Sequence, residues 1–208
     1  MKKLLFILIY FPLFYGCGNQ QSQVSEDTFV ETTPLKETQF IISDEFVLAD
    51  DKTLSSYLKE TISELNIEEF SKDKVKLSDE GWEKVMLEWK ETSSLYLRKN
   101  SFDNGENIVV KYSEIEPSES WLNKITAELK KQEAAFSQTA GVSFKWIDSR
   151  MGKYKNNHSY MLFTSILSYE GISRNGLQCI ILVNNKSYQI YINTYDRVSL
   201  EDVIIDIK

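Results

Sequence analysis

The sequence has 208 residues, 42% hydrophobic and 12% aromatic, with 24 Lys and Arg against 31 Asp and Glu for a formal charge of −7. That is apolar material for a packed domain rather than a disordered chain, and an acidic surface repels phosphate backbones, which argues against a nucleic-acid partner. One histidine and two cysteines leave no His-x-x-x-His pair and no Cys-rich zinc site, so neither a metal nor a cofactor is expected.

Lys2-Lys3 precede an unbroken apolar run from Leu4 to Tyr15. A helix of that length spans about 18 Å, short of the roughly 30 Å of a bilayer core, and Pro12 would kink it. The run therefore reads as part of a signal peptide over residues 1–16 rather than as a membrane span. Gly16-Cys17, directly after it, resembles the lipobox of bacterial lipoproteins. Gly16 is the small residue such signals carry before the cut. Phe14 and Tyr15 stand where Leu and a small residue are usual, with Leu13 one step further back. The resemblance implies cleavage between Gly16 and Cys17, diacylglycerol on the Cys17 thiol, and acylation of its new amine, as by palmitate. Each buried CH₂ contributes about 0.8 kcal/mol, so several acyl chains make a stable membrane tether. Gly18 stands where an Asp would favour retention at the inner membrane, so the outer membrane is expected where the host has one. Loss of Lys2 and Lys3 leaves 24 − 2 = 22 basic residues against 31 acidic ones, a charge of −9.

Residues 17–39 are expected to be the lipidated Cys17 and a flexible polar tether, rich in Gln, Ser, Thr and Glu with no apolar period. Residues 40–208 then form one domain. Phe40–Leu48 reads as a short strand or a docked extension. Leu54, Tyr57, Leu58, Ile62 and Leu65 trace one helical stripe, with Asp50 or Asp51 as its cap and Asn66 as its stop. A second helix follows Ser78, where Trp82, Val85, Met86 and Trp89 share a face suited to core packing. The pattern then alternates: Leu95 and Leu97, Asn104-Gly105, then Ile108, Val110 and Tyr112. Asn-Gly between alternating runs predicts a hairpin. Pro117-Ser118-Glu119 opens a third helix with Leu122, Ile125, Leu129 and Phe136 inward and Gly141 as its stop.

The remainder predicts a meander. Phe144–Ser149 is a short strand, and 159–170 is a long one with Met161, Phe163, Ser165, Leu167 and Tyr169 on one face. Gly176–Val183 is apolar on both faces and hence central. Asn184-Asn185-Lys186-Ser187 is a turn, and Tyr188–Tyr195 alternates with Ile190 and Ile192 on one face. Ser199 caps a last helix that presents Val203, Ile204 and Ile207 inward. The fold class is α+β, with an antiparallel sheet (hairpin plus C-terminal meander) packed against helices. Gly81-Trp82, followed by hairpin, long helix, strands and short C-terminal helix up to Ile207, resembles the Mog1/PsbP-like domains. The resemblance implies a fold and no function, because that fold hosts unrelated binding roles. The helical pattern over Ser78–Lys90 departs from the strand it would place after Gly81-Trp82.

Catalytic motifs are not found. His158 lies in a polar turn and no Gly-x-Ser-x-Gly elbow accompanies it. Ser56-x-x-Lys59 and Ser71-x-x-Lys74 lack the Ser-Asp-Asn and Lys-Thr-Gly companions of penicillin-binding enzymes. Asp103-Asn104-Gly105-Glu106 lacks EF-hand spacing. The acidic pairs, such as Asp50-Asp51 and Glu68-Glu69, suit helix starts and strand faces. Cys179, in an apolar run, reads as an inert buried thiol. Tyr191 and Tyr195 share the face opposite Ile190 and Ile192 and are the candidate interface residues. The expectation is a non-catalytic, lipid-anchored envelope protein that binds a protein partner, as an immunity or inhibitor protein would. The alternatives are a carrier of a small hydrophobic ligand between sheet and helices, and a motif-free envelope hydrolase.

Overall fold

The computed structural model describes residues 38–64, 79–101, 105–136, 142–155, 157–169 and 171–208. Gly16, Cys17, the tether up to residue 37, Asn66, Asn104 and Gly141 lie outside the described residues, as do the side chains of Ile62, Trp82 and Val85. The elements are β1 (Phe40–Ile42), β2 (Phe46–Leu48), α1 (Asp51–Glu64), α2 (Asp79–Thr92), β3 (Ser93–Arg98), β4 (Asn107–Ser113), α3 (Glu119–Phe136), β5 (Val142–Tyr154), β6 (His158–Tyr169), β7 (Ile172–Val183), β8 (Lys186–Thr194), α4 (Leu200–Val203) and β9 (Ile204–Ile207). Seven strands form an antiparallel sheet in the order β2-β3-β4-β8-β7-β6-β5, and β1 and β9 form a separate two-stranded ribbon. The chain is α+β, as its patterning predicts.

The local signals act where they stand. Asp50 Oδ1 accepts the Thr53 N–H at 2.8 Å and starts α1; these Thr53 bonds hold the Asp50 carboxyl below its ordinary range. Ser118 Oγ accepts the Trp121 N–H at 3.3 Å and starts α3. Asn184 and Asn185, at φ 49° and 61°, form a two-residue turn between Val183 and Lys186, the type I′ geometry that fits strand twist.

The sheet has two buried faces because strand side chains alternate. On one face, Ile108, Val110, Ile190, Ile192, Cys179, Ile181 and Leu162 pack under the β1–β9 ribbon and α4, through Phe40, Leu200, Val203 and Ile204. On the other, α1 and α2 pack on β3 and β4 through Leu54, Leu58, Met86, Trp89, Leu95 and Val109. There α3 packs on β5, β6 and β7 through Ile125, Leu129, Phe144, Met161, Phe163 and Ile180. Fully burying an Ile contributes about 1.5–3 kcal/mol relative to exposure, and Ile108, Ile180, Ile181, Ile190 and Ile192 are all fully enclosed.

Several expectations are corrected. The last helix is a single turn, closed by a capping box between Ser199 and Asp202, and Ile204–Ile207 is strand β9. Branched side chains favour the extended form, and β1 supplies the partner. Phe40–Leu48 is two strands: β1 joins β9, and β2 joins β3. Phe144–Ser149 extends to Val142–Tyr154, with a bulge between Trp146 and Asp148, because β6 pairs along its whole length. The β3–β4 hairpin is present, yet Leu97 pairs with Asn107 and the Arg98 N–H reaches Glu106 O, so its loop exceeds a two-residue Asn-Gly turn. Thr38 and Gln39, expected in the tether, are docked. The Tyr188 hydroxyl donates to Thr38 Oγ1 at 2.8 Å, and Gln39 exchanges two backbone bonds with Lys208.

Candidate binding band on the helix face

The inner strands β4, β8 and β7 are apolar toward the ribbon; toward the helices β8 is polar, and β4 and β7 mix polar residues with Val109 and Ile180. Opposite the Ile-rich row stand Asn107, Lys111 and Ser113 on β4, Ser187, Gln189, Tyr191 and Asn193 on β8, and Gln178 on β7. Register places them side by side: Val109, Tyr191 and Gln178 form one row, and Lys111, Gln189 and Ile180 the next. No helix-facing residue of β8 belongs to either helix-side cluster, so the band runs between them.

The band is buried: Gln178 is 3% exposed, Ser187 4%, Tyr191 5% and Gln189 6%. One pair satisfies itself, with Asn193 Nδ2 donating to Asn107 Oδ1 at 3.0 Å. Gln178 Nε2 and Ser187 Oγ have no hydrogen-bond partner among the described residues, nor has either polar side-chain atom of Gln132, on the inward face of α3. A buried polar group left without a partner costs about 1–3 kcal/mol. Lys111 Nζ stands 6.0 Å from the centroid of the Tyr191 ring. Burial pushes the Lys111 ammonium down to about 7, because desolvation disfavours charge.

The two candidate tyrosines part company. Tyr191 is buried within the band, so it offers little area to a protein partner, a burial that strand alternation alone does not state. Tyr195 lies just past β8, in a charged corner. Its hydroxyl accepts from Arg174 Nη2 at 2.9 Å, its ring lies 5.0 Å from the Arg174 guanidinium carbon, and its N–H reaches Glu106 Oε1 at 3.3 Å. Glu106 also takes Arg98 Nη1 at 2.6 Å and the Ser101 hydroxyl at 3.0 Å. This corner ties the β3–β4 loop to the end of β8.

His158 is the first residue of β6, paired with Tyr154, and not a loop residue. Cys179 is fully buried on the ribbon face, where burial pushes its thiol up. Among the described residues no cluster of three or more His, Cys, Asp and Glu is placed to hold a metal ion. No helix among them is long and apolar enough to cross a membrane. Lys111 and Gln178 carry a sequence signal that reasoning from apolar stripes passed over: polar residues inside strands whose two faces are both covered.

No protein-family model matches the chain, and no curated protein matches it. Among solved structures it is similar to the solution structure of cyanobacterial PsbP (CyanoP) from Synechocystis sp. PCC 6803. The identity is 11%, over 83% of this chain and 87% of that one, with a TM-score of 0.39. That is a weak PsbP-like resemblance, and no role is carried over from it.

Proposed function

We propose that the protein is a non-catalytic binding module, tied to the envelope through lipid on Cys17 and engaging a protein partner, in the manner of an immunity or inhibitor protein. The observation that supports a protein partner is the β2 edge. The sheet ends in β5 on one side and β2 on the other. β5 carries Lys145, Asp148, Arg150 and Lys153 and a bulge, devices that discourage pairing. β2 is Phe46-Val47-Leu48, uncharged, with Val47 51% and Leu48 58% exposed on opposite faces. An extended partner segment would add beside β2 through main-chain bonds, with Val47 and Leu48 contributing apolar contact on its two faces.

The test is a pull-down of the full chain from envelope extract, wild type against Val47→Lys/Leu48→Lys. The partner should be lost with the melting temperature held; recovery of the same partner by the variant would overturn the reading. Labelled palmitate should enter wild type and not Cys17→Ser, and equal labelling of the two would remove the anchor. A second reading, carriage of a small ligand between sheet and helices, is favoured by the unpartnered buried groups of the polar band.

A further inference from the structure

We propose that the open edge of β2 receives an apolar strand running antiparallel to it, with Lys or Arg just past that strand's C-terminal end. This rests on the protein-partner reading and names the partner's chemistry.

The main chain sets where the bonds can form. Toward β3, Glu45 O accepts the Lys99 N–H at 2.7 Å, and the Ala49 N–H reaches Leu95 O at 2.8 Å. Bonding alternates along a strand, so Glu45, Val47 and Ala49 face β3, while Phe46 and Leu48 turn their N–H and C=O groups outward. The Phe46 N–H is taken by Ser43 O at 3.0 Å. Among the described residues β2 has β3 as its one strand neighbour, so the open edge offers Leu48 N–H, Leu48 O and Phe46 O. An antiparallel strand uses all three. One of its residues exchanges both bonds with Leu48, and the residue two further on donates to Phe46 O. Every pair in this sheet is antiparallel, and that pairing is slightly the more stable per residue.

Charge sets the rest. The C-terminal end of such a strand lies beside Asp44 and Glu45, where β2 begins. There Asp44, Glu45, Glu106 and Asp196 stand against Arg98 and Lys99, four negative charges against two. At the other end Asp50 and Asp51 stand against Lys52 and Lys90, two against two. The excess sits at one end, so the complementary cation belongs at the partner's C-terminal end. The same carboxylates argue against a second copy of this chain. Two β2 strands paired about a two-fold axis at Val47 would set Asp44 of each against Asp50 of the other, over an edge of three residues, and like charges directly opposite are destabilising. Val47 and Leu48 are exposed on opposite faces and offer apolar contact to both faces of the added strand.

The experiment measures the fluorescence anisotropy of labelled, end-capped peptides on the full chain in neutral phosphatidylcholine nanodiscs, against empty discs. Thr-Val-Thr-Val-Thr-Lys-Lys should bind about tenfold tighter than Thr-Val-Thr-Val-Thr-Glu-Glu, the worth of two exposed charge pairs gained rather than opposed. It should also bind more tightly than Lys-Lys-Thr-Val-Thr-Val-Thr, whose cations lie at the wrong end. Asp44→Asn/Glu45→Gln should bring the basic and acidic peptides level. Val47→Lys/Leu48→Lys should abolish binding, and unchanged melting should show both variants folded. Equal binding of basic and acidic peptides by wild type, a preference for cations at the N-terminal end, or binding untouched by Val47→Lys/Leu48→Lys would each overturn the inference. So would an absence of binding by all three peptides. Partner capture from envelope extract that depends on Val47 and Leu48 would then still uphold the protein-partner reading.

Discussion

Arg98 and Glu106 close the β3–β4 hairpin twice, by the Arg98 N–H on Glu106 O at 3.1 Å and by Arg98 Nη1 on Glu106 Oε1 at 2.6 Å. Arg98 also reaches Glu45 at 3.0 Å and Asp196 at 3.4 Å. The Glu106 side chain is only 7% exposed, against 58% for Glu45 and 77% for Asp196, so Glu106 is the partner that matters.

Glu106→Ala leaves the Arg98 charge without its closest partner and strips acceptors from Ser101 and the Tyr195 N–H. It should cost about 2–4 kcal/mol, toward the range for breaking a buried pair. Glu45→Ala and Asp196→Ala, on exposed carboxylates, should each cost less than about 1 kcal/mol. Urea unfolding of the three variants checks the ranking, and equal losses would refute it.

Gly105 lies against the Arg174 guanidinium, where any added Cβ would run into that group. The guanidinium ends a flexible side chain, but Arg174 is buried and engaged with Tyr195. Gly105→Ala should therefore cost about 1–3 kcal/mol through overpacking. In an Arg174→Ala background the same change should cost almost nothing, a coupling that a double-mutant cycle measures directly. Additive losses would show that the close approach is relieved elsewhere.

The Lys111 ammonium titrates near 7 in the fold instead of its ordinary 10.5. Below both values both states are protonated and the desolvation penalty is fully present. Between them the unfolded chain binds the extra proton, so stability rises with pH from about 7 toward about 10.5, by at most about 1.4 kcal/mol per pH unit. Lys111→Met removes this contribution. Its advantage over wild type in urea should be largest near about pH 6 and shrink as pH rises through that window. An advantage constant with pH would refute the assignment.

Asn185 holds φ 61° in the β7–β8 turn. Asn185→Ala should cost about 1–2 kcal/mol, the penalty of a Cβ in the left-handed region. Asn185→Gly, which creates the favoured Asn-Gly pair, should gain up to about 1 kcal/mol. Melting temperatures in the order Gly, Asn, Ala are expected, and any other order counts against the turn as described.

Much of the fold is legible in short segments because its signals are local. Asp50 and Ser118 cap helices within their own first turns, and Asn184-Asn185 supplies its own positive φ. Met161, Phe163 and Leu167 lie on one face because side-chain alternation is a property of the strand itself. The polar band was much less visible. Lys111 and Gln189 occupy the unremarked half of alternating runs, and nothing in those runs states that a second layer covers that half. Tyr191 shows the same limit: its phase is readable and its burial is not.

By itself, then, the sequence determined an α+β architecture, three of the helices, most of the strands of the large sheet, the Asp50, Ser118 and Ser199 caps and the Asn184-Asn185 turn, since these depend on residues a few positions apart. Only the tertiary structure decided which of two faces the ribbon covers and which the helices cover. It also turned Ile204–Ile207 into β9, docked Thr38 on Tyr188, and buried Gln178 and Gln189 between two apolar clusters. Those outcomes depend on partners far away in the chain, and a strand's pattern states that a face is covered without naming what covers it.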